Sequence, residues 1–194
     1  MDGGVHRKQQ ATSPFSAYLG HLCNCLVGVL WVTGRLNDIN GYSKKILPSV
    51  QPSHATSDMY WAEDRVGPKR IKGAYAYKDL LERSKVIGLG TDFPVEKINP
   101  IYTFYAAVFR KNNFGKPLSG FQKNEALSRI NALKGMTIWA ALANFEESEK
   151  GSLEIGKSGD MVVLNTEILS HEENDILNTK VIYTIIDGEN VYNY

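Results

Sequence analysis

The chain has 194 residues, of which 43% are hydrophobic and 22% charged, with a formal net charge of +1. That length sustains an ordinary domain with a real core, and the balance excludes a disordered chain. So small a net charge leaves no general electrostatic drive toward nucleic acid or an anionic membrane.

From the start, Met1 to Ser16 is polar and without periodicity. Leu19 to Val32 is the most apolar stretch, yet it is too short to span a bilayer as a helix and contains His21 and Asn24. His6–Arg7–Lys8 loosely offers the charged start of a secretion signal, but Val32–Thr33–Gly34 is a poor cleavage site, so the cytoplasm is favoured over export. Cys23 and Cys25 are too close in sequence for an unstrained mutual disulfide. With His21 as the one obvious further ligand, they read as small buried apolar residues before they read as a zinc site.

Leu36 to Lys45 is polar and helix-like. Ile46 to Val50 reads as a short buried strand in which Pro48 needs an edge, a bulge or a strand end. Gln51 to Asp58 reads as a polar loop, Tyr60 to Val66 as a short helix, and Gly73 to Ser84 has apolar residues at helical spacing. Val86 to Leu89 is a second buried strand, ending in Gly90–Thr91–Asp92–Phe93–Pro94. Pro100 to Lys111 predicts an amphipathic helix, and Asn113 to Gly120 a Gly/Pro loop. Asn124 to Leu133 and Thr137 to Phe145 read as helices, with Gly135 the one breaker between Phe121 and Phe145.

The character changes after Lys150. Gly151 to Lys157 is turn-rich, and Met161 to Asn165 and Val181 to Ile186 are strands. Asp187–Gly188 signals a hairpin into Val191–Tyr192. Strands alternating with helices, then strands alone, predict an α/β body with a small β appendage.

Two places combine a strand end with reactive side chains: His54 after the first strand and Asp92 after the second. The carboxyl ends of parallel strands are where α/β active sites form, and imidazole and carboxylate are ordinary ligands for zinc and similar ions. Each also has a plainer reading, His54 as a loop hydrogen-bonder and Asp92 as a residue that fixes a turn. No P-loop, GxGxxG, GxSxG or CxxC occurs.

The surroundings of these two residues carry a resemblance. Gln51–Pro52–Ser53–His54–Ala55–Thr56–Ser57–Asp58–Met59–Tyr60–Trp61 resembles the segment after the sixth barrel strand in the YtcJ-like branch of the amidohydrolase superfamily. Gly88–Leu89–Gly90–Thr91–Asp92–Phe93–Pro94–Val95–Glu96 resembles the end of that family's eighth strand, and Asn99–Pro100 and Tyr105–Ala106–Ala107–Val108 follow as they do there. Glu125–Ala126–Leu127, Thr137 to Glu146, and Gly151 to Leu164 continue the likeness in order, with Gly159 standing where the family usually has Ala.

The resemblance implies an α/β fold: the C-terminal part of a (β/α)8 TIM barrel over 36–148, and strands of the small composite β-sandwich over 149–194. Residues 1–35 read as a divergent segment foreign to the family. It implies hydrolysis of carbon–nitrogen bonds other than peptide bonds by water activated on a divalent metal, zinc in the first instance. His54 matches a metal-binding or substrate-facing histidine, and Asp92 the aspartate that ligates the metal and takes the water's proton. Trp61, Asp64 and Arg65 are candidates to shape a substrate pocket; the plainer alternative is a buried Trp and a surface ion pair. Glu96 either orients the loop after Asp92 or faces solvent.

The family's His-x-His pair is absent, since the histidines are His6, His21, His54 and His171. A closed barrel takes about 250 residues, and 36–148 has room for roughly three βα units. The expectation is a truncated form, weakly active or inactive alone, with exposed sheet edges. Its partners would be a small amide-type substrate and either a second copy or the missing N-terminal barrel half. The alternative is a non-catalytic α/β module that binds through those edges, with Trp61, Tyr75 and Tyr77 as aromatic anchors.

Overall fold

The computed structural model describes residues 47–194. The expectations for the apolar stretch, the cysteine pair and the helix over 36–45 lie outside the described residues.

Strand β1 (Ser49–Val50) pairs in parallel with β2 (Gly88–Leu89), in the register Ser49 to Gly88 and Val50 to Leu89. Gly88 N donates to Pro48 O at 2.9 Å and Gly90 N to Val50 O at 2.9 Å, so the ladder outlasts the strands at both ends. Pro48 thus sits just before the strand, contributing its carbonyl where it has no N–H to give. Parallel strands need a long crossover. Here it consists of α1 (Pro52–Asp58), α2 (Ala62–Arg70), a 3-10 turn at Ile71–Gly73 and α3 (Tyr77–Ser84). The resemblance numbers these strands six and eight, which a regular barrel separates by a strand. Here the stretch between them at 74–76 is buried but irregular, because Tyr75 has a left-handed φ of 55° that an extended strand does not allow.

The expected loop over Gln51–Asp58 is a helix. Pro52 occupies its first turn, where a missing N–H costs nothing, and Pro52, Ser53, Ala55 and Thr56 are buried. Polarity misled the loop reading: the hydroxyls are small enough to pack, and Thr56 Oγ1 donates to Ser53 O at 3.0 Å. The expected helix at Tyr60 starts at Ala62 and kinks at Gly67, whose φ is 81°, ahead of Pro68.

Helix α4 (Pro100–Phe109) is not amphipathic as expected. Ile101 and every residue from Thr103 to Phe109 are buried, so it runs through the middle of the core. Asn99 caps it, Oδ1 accepting from Ile101 N at 3.0 Å. Val50, Ile87, Leu89 and Phe104 are each no more than 2% exposed around it. Arg110, just past its end, is also fully buried. Its Nε donates to Phe121 O at 2.9 Å and the guanidinium lies 5.0 Å from the Tyr77 ring centre.

After a 3-10 turn at Lys123–Glu125 come α5 (Arg129–Met136) and α6 (Ile138–Ala143), divided at Thr137, whose φ and ψ are −127° and −100°. Gly135, the expected breaker, lies inside α5. A Cβ there would stand 2.6 Å from Leu89 Cγ and 3.0 Å from Ile87 O, so the glycine lets the helix press onto β2.

The C-terminal sheet is antiparallel in the order β3 (Met161–Leu164), β4 (Val181–Ile186), β5 (Glu189–Asn193). Asp187 and Gly188 turn the last hairpin with positive φ of 52° and 80°, the sense that matches strand twist. Where the family usually has Ala, a Cβ on Gly159 would approach Gly188 N to 3.1 Å. A helix that the strand-only reading missed, α7 (Glu173–Ile176), inserts Ile176 into the body's core. Glu173 Oε1 accepts from Tyr105 Oη and from Lys111 Nζ, both at 2.7 Å. No helix among the described residues is long and apolar enough to cross a membrane.

Candidate active site

His54 sits in the first turn of α1, two residues past Pro52, and Asp92 lies three residues beyond Leu89. Because β1 and β2 are parallel and in register, both residues emerge at the same end of the sheet. Their side chains meet: His54 Nε2 stands 3.3 Å from Asp92 Oδ2, with each side chain 28% exposed. This is an approach without an aligned hydrogen bond. Nε2 is itself buried and has no hydrogen-bond partner. A buried imidazole nitrogen without an aligned hydrogen bond is uncommon, and it leaves Nε2 able to take a further group beside the carboxylate.

Asp92 reaches this position through a left-handed φ of 58°, which Asp tolerates better than most residues. The turn it makes is closed by its backbone, Asp92 O accepting from Val95 N at 2.8 Å and Glu96 N at 3.2 Å. Turn-fixing and a role for the carboxylate are thus compatible.

Two tyrosines brace α1. Tyr77 Oη donates to Gln51 O at 3.1 Å at the helix start, and Tyr75 Oη donates to Asp58 Oδ2 at 2.8 Å at its end. Both rings are buried, Tyr75 at 2% and Tyr77 at 3% exposure, which corrects their expected use as surface anchors. Tyr75 sits in a left-handed turn just ahead of α3, a conformation that periodicity could not foresee. Burial pushes both phenols well above the ordinary tyrosine range, and for Tyr75 the hydrogen bond to Asp58 adds to it, so both stay neutral donors.

Trp61, Asp64 and Arg65 are exposed, Trp61 by 47%. The buried-Trp alternative fails, because Ala62 and not Trp61 is the inward residue at the start of α2. Glu96 does not simply face solvent: its Oε1 accepts from Ser57 Oγ at 2.5 Å. Ser57 was not singled out in the sequence, where one serine in a polar run carries no signal of a partner 39 residues on.

The pair has the chemistry of a metal ligand set. Two ligands on a tetrahedral zinc with bonds of about 2.0–2.2 Å lie roughly 3.3–3.6 Å apart. The His54–Asp92 separation of 3.3 Å is of that size, and the unpartnered Nε2 is the donor a cation would use. Among the described residues, no third His, Cys, Asp or Glu joins them in a metal-holding group.

Parallel strands carrying an imidazole and a carboxylate at one end define an α/β scaffold, and comparison with known proteins gives its class. Residues 43–192 match the model of the Amidohydrolase family, and the chain belongs to that family. It is 28% identical over 143 residues to YtcJ of Bacillus subtilis (strain 168), which carries an amidohydrolase name, covering 74% of this chain and 27% of that protein. It is 33% identical over 148 residues to Protein LONG AFTER FAR-RED 3 of Arabidopsis thaliana, covering 76% of this chain and 25% of that one. The crystal structure of an uncharacterized metal-dependent hydrolase from Pyrococcus horikoshii OT3 superposes with a TM-score of 0.62 at 30% identity, over 76% of this chain and 32% of that one. The chain thus spans about a quarter to a third of the length of these relatives.

Proposed function

We propose that this chain contributes His54 and Asp92 to the active centre of a metal-dependent hydrolase of carbon–nitrogen bonds other than peptide bonds. In this reading β1, β2 and their helices are the C-terminal part of a (β/α)8 barrel, 36–148 in extent. Residues 149–194 belong to the small β-sandwich. The observation that carries it is the 3.3 Å approach of His54 Nε2 to Asp92 Oδ2 at one end of two parallel strands. Family membership and the likeness to a protein titled a metal-dependent hydrolase support it.

A divalent cation, zinc by its preference for nitrogen and carboxylate donors, would supply Lewis acidity, lowering the pKa of a water and polarising the scissile carbonyl. The chain's own residues do the rest. His54 offers the lone pair of Nε2 when its proton is on Nδ1, and α1, held by Tyr75 and Tyr77, sets the ring's place. The Asp92 carboxylate accepts the proton of the attacking water and can return it to the leaving nitrogen as the carbon–nitrogen bond breaks. Trp61, Asp64 and Arg65, exposed at the start of α2, remain candidates for contacts to an amide-type substrate. A relative from Arthrobacter pascens, 28% identical over 114 residues, is named N-substituted formamide deformylase, so N-substituted formamides are the first substrates to try.

The test is metal content of the purified protein beside His54→Ala and Asp92→Ala. Zinc carried by the wild type and lost from both variants is the expected result. Equal content in all three would sink the assignment.

A further inference from the structure

We infer that Ser57 and Glu96 form a clamp that positions Asp92 against His54, an inference that rests on the metal-ligand reading of those two residues. Two chain segments must be held together for the pair to meet: the helix that bears His54 and the turn that bears Asp92. The parallel ladder fixes their roots, but it ends at Gly90 N on Val50 O, two residues short of Asp92. Beyond that point a side-chain bond joins the two segments. Ser57 Oγ lies 2.5 Å from Glu96 Oε1, the distance of a hydroxyl donating to a charged carboxylate. Ser57 Oγ also stands 3.4 Å from His54 O, but a hydroxyl has one proton, and the shorter contact to the anion takes it.

Each end of this bond is tied to one member of the pair. Ser57 is three residues after His54 on α1, one turn along, so its side chain shares a face of the helix with the imidazole. Glu96 N donates to Asp92 O at 3.2 Å and Val95 N to the same oxygen at 2.8 Å, so the residue that holds Ser57 also closes the turn carrying Asp92. The contacts form a ring: His54 to Ser57 along the helix, Ser57 to Glu96 by side chains, Glu96 to Asp92 by backbone, and Asp92 back to His54 at 3.3 Å. Asp92 adopts a left-handed backbone, and nearby Phe93, Val95 and Ile98 are at least half exposed. Ser57 and Glu96 are therefore positioning residues and need not touch substrate.

The test compares wild type with Ser57→Ala, Glu96→Ala and the hydroxyl-keeping Ser57→Thr. Two readouts are used: cobalt(II) titration followed by its visible absorption, and amide hydrogen exchange at Val95 and Glu96 in metal-free protein. Ser57→Ala and Glu96→Ala are expected to weaken cobalt binding about tenfold and alter its spectrum, while Ser57→Thr retains both. Exchange at the two amides should quicken in the alanine variants, with the thermal midpoint moving by no more than about 2 °C. Unchanged exchange in both alanine variants, or unchanged cobalt affinity with the spectrum intact, overturns the clamp. If the wild type takes up no cobalt, the metal reading falls by itself, and exchange alone then decides between clamp and no clamp.

Discussion

The α/β body and the C-terminal sheet are built on opposite principles. The body surrounds a helix, α4, that is buried almost end to end, with Phe104 and Ala107 fully inaccessible. The sheet has no comparable interior: β5 is exposed along its whole length, and Tyr183, Val191 and Tyr192 each show over a third of their surface. They are joined by a short helix, a small polar node and apolar contacts, Leu164, Ile168 and Leu177 packing against the body's core. Ile176 enters the body's core, Glu173 receives Tyr105 and Lys111, and Arg129 Nη1 donates to Ile168 O at 2.9 Å. Backbone pairing runs through the sheet, whereas the body adds side-chain burial around the two strands that lead to His54 and Asp92. The candidate site accordingly lies on the body.

The contrast breaks most sharply at Phe104. Phe104→Ala should cost about 3–5 kcal/mol, read as a lowered urea midpoint of the whole chain, because a fully buried ring leaves a cavity. A loss under about 1 kcal/mol would mean that the body is not organised around α4.

The junction should respond less, and in a pH-dependent way. Burial pushes the Glu173 carboxyl up, but hydrogen bonds from Lys111 and Tyr105 and the Lys111 charge outweigh it and hold it below its ordinary 4.5. A depressed carboxylate stabilises the fold fully above its unfolded value and loses that stabilisation as pH falls through the folded one. Glu173→Gln should therefore cost about 1 kcal/mol at pH 7, with the difference from wild type shrinking below about pH 4.5. Denaturation midpoints at pH 7 and pH 3 measure this; a gap that widens in acid contradicts it.

The sheet's open face should feel substitution least. Val191 is 55% exposed, and Val191→Thr keeps the branched shape a strand prefers, so a change within about 0.5 kcal/mol is expected by thermal melting. A larger loss would show that something covers this face.

Much of the order of elements was legible in the residues. The strand after Val181, the Asp187–Gly188 turn and the helix opened by Asn99–Pro100 all stand where local chemistry put them. These features depend on near neighbours: two left-handed residues make a hairpin, a proline and an asparagine start a helix. Legibility failed where burial overrides polarity. Pro52–Asp58 looked like a loop because its residues are small and polar, yet against α4 they pack as a helix. Tyr75 and Tyr77 looked like surface aromatics but brace that helix from inside.

By itself, the sequence determined that an imidazole and a carboxylate follow two short apolar strands, within a run of motifs that belongs to one hydrolase family. Only the tertiary structure decided that β1 and β2 lie side by side, that His54 Nε2 comes within 3.3 Å of Asp92 Oδ2, and that Ser57 reaches Glu96 across 39 residues. Spacing along a chain encodes turns and faces of single elements. The distance between side chains on different elements is set by how those elements pack, which no local pattern records.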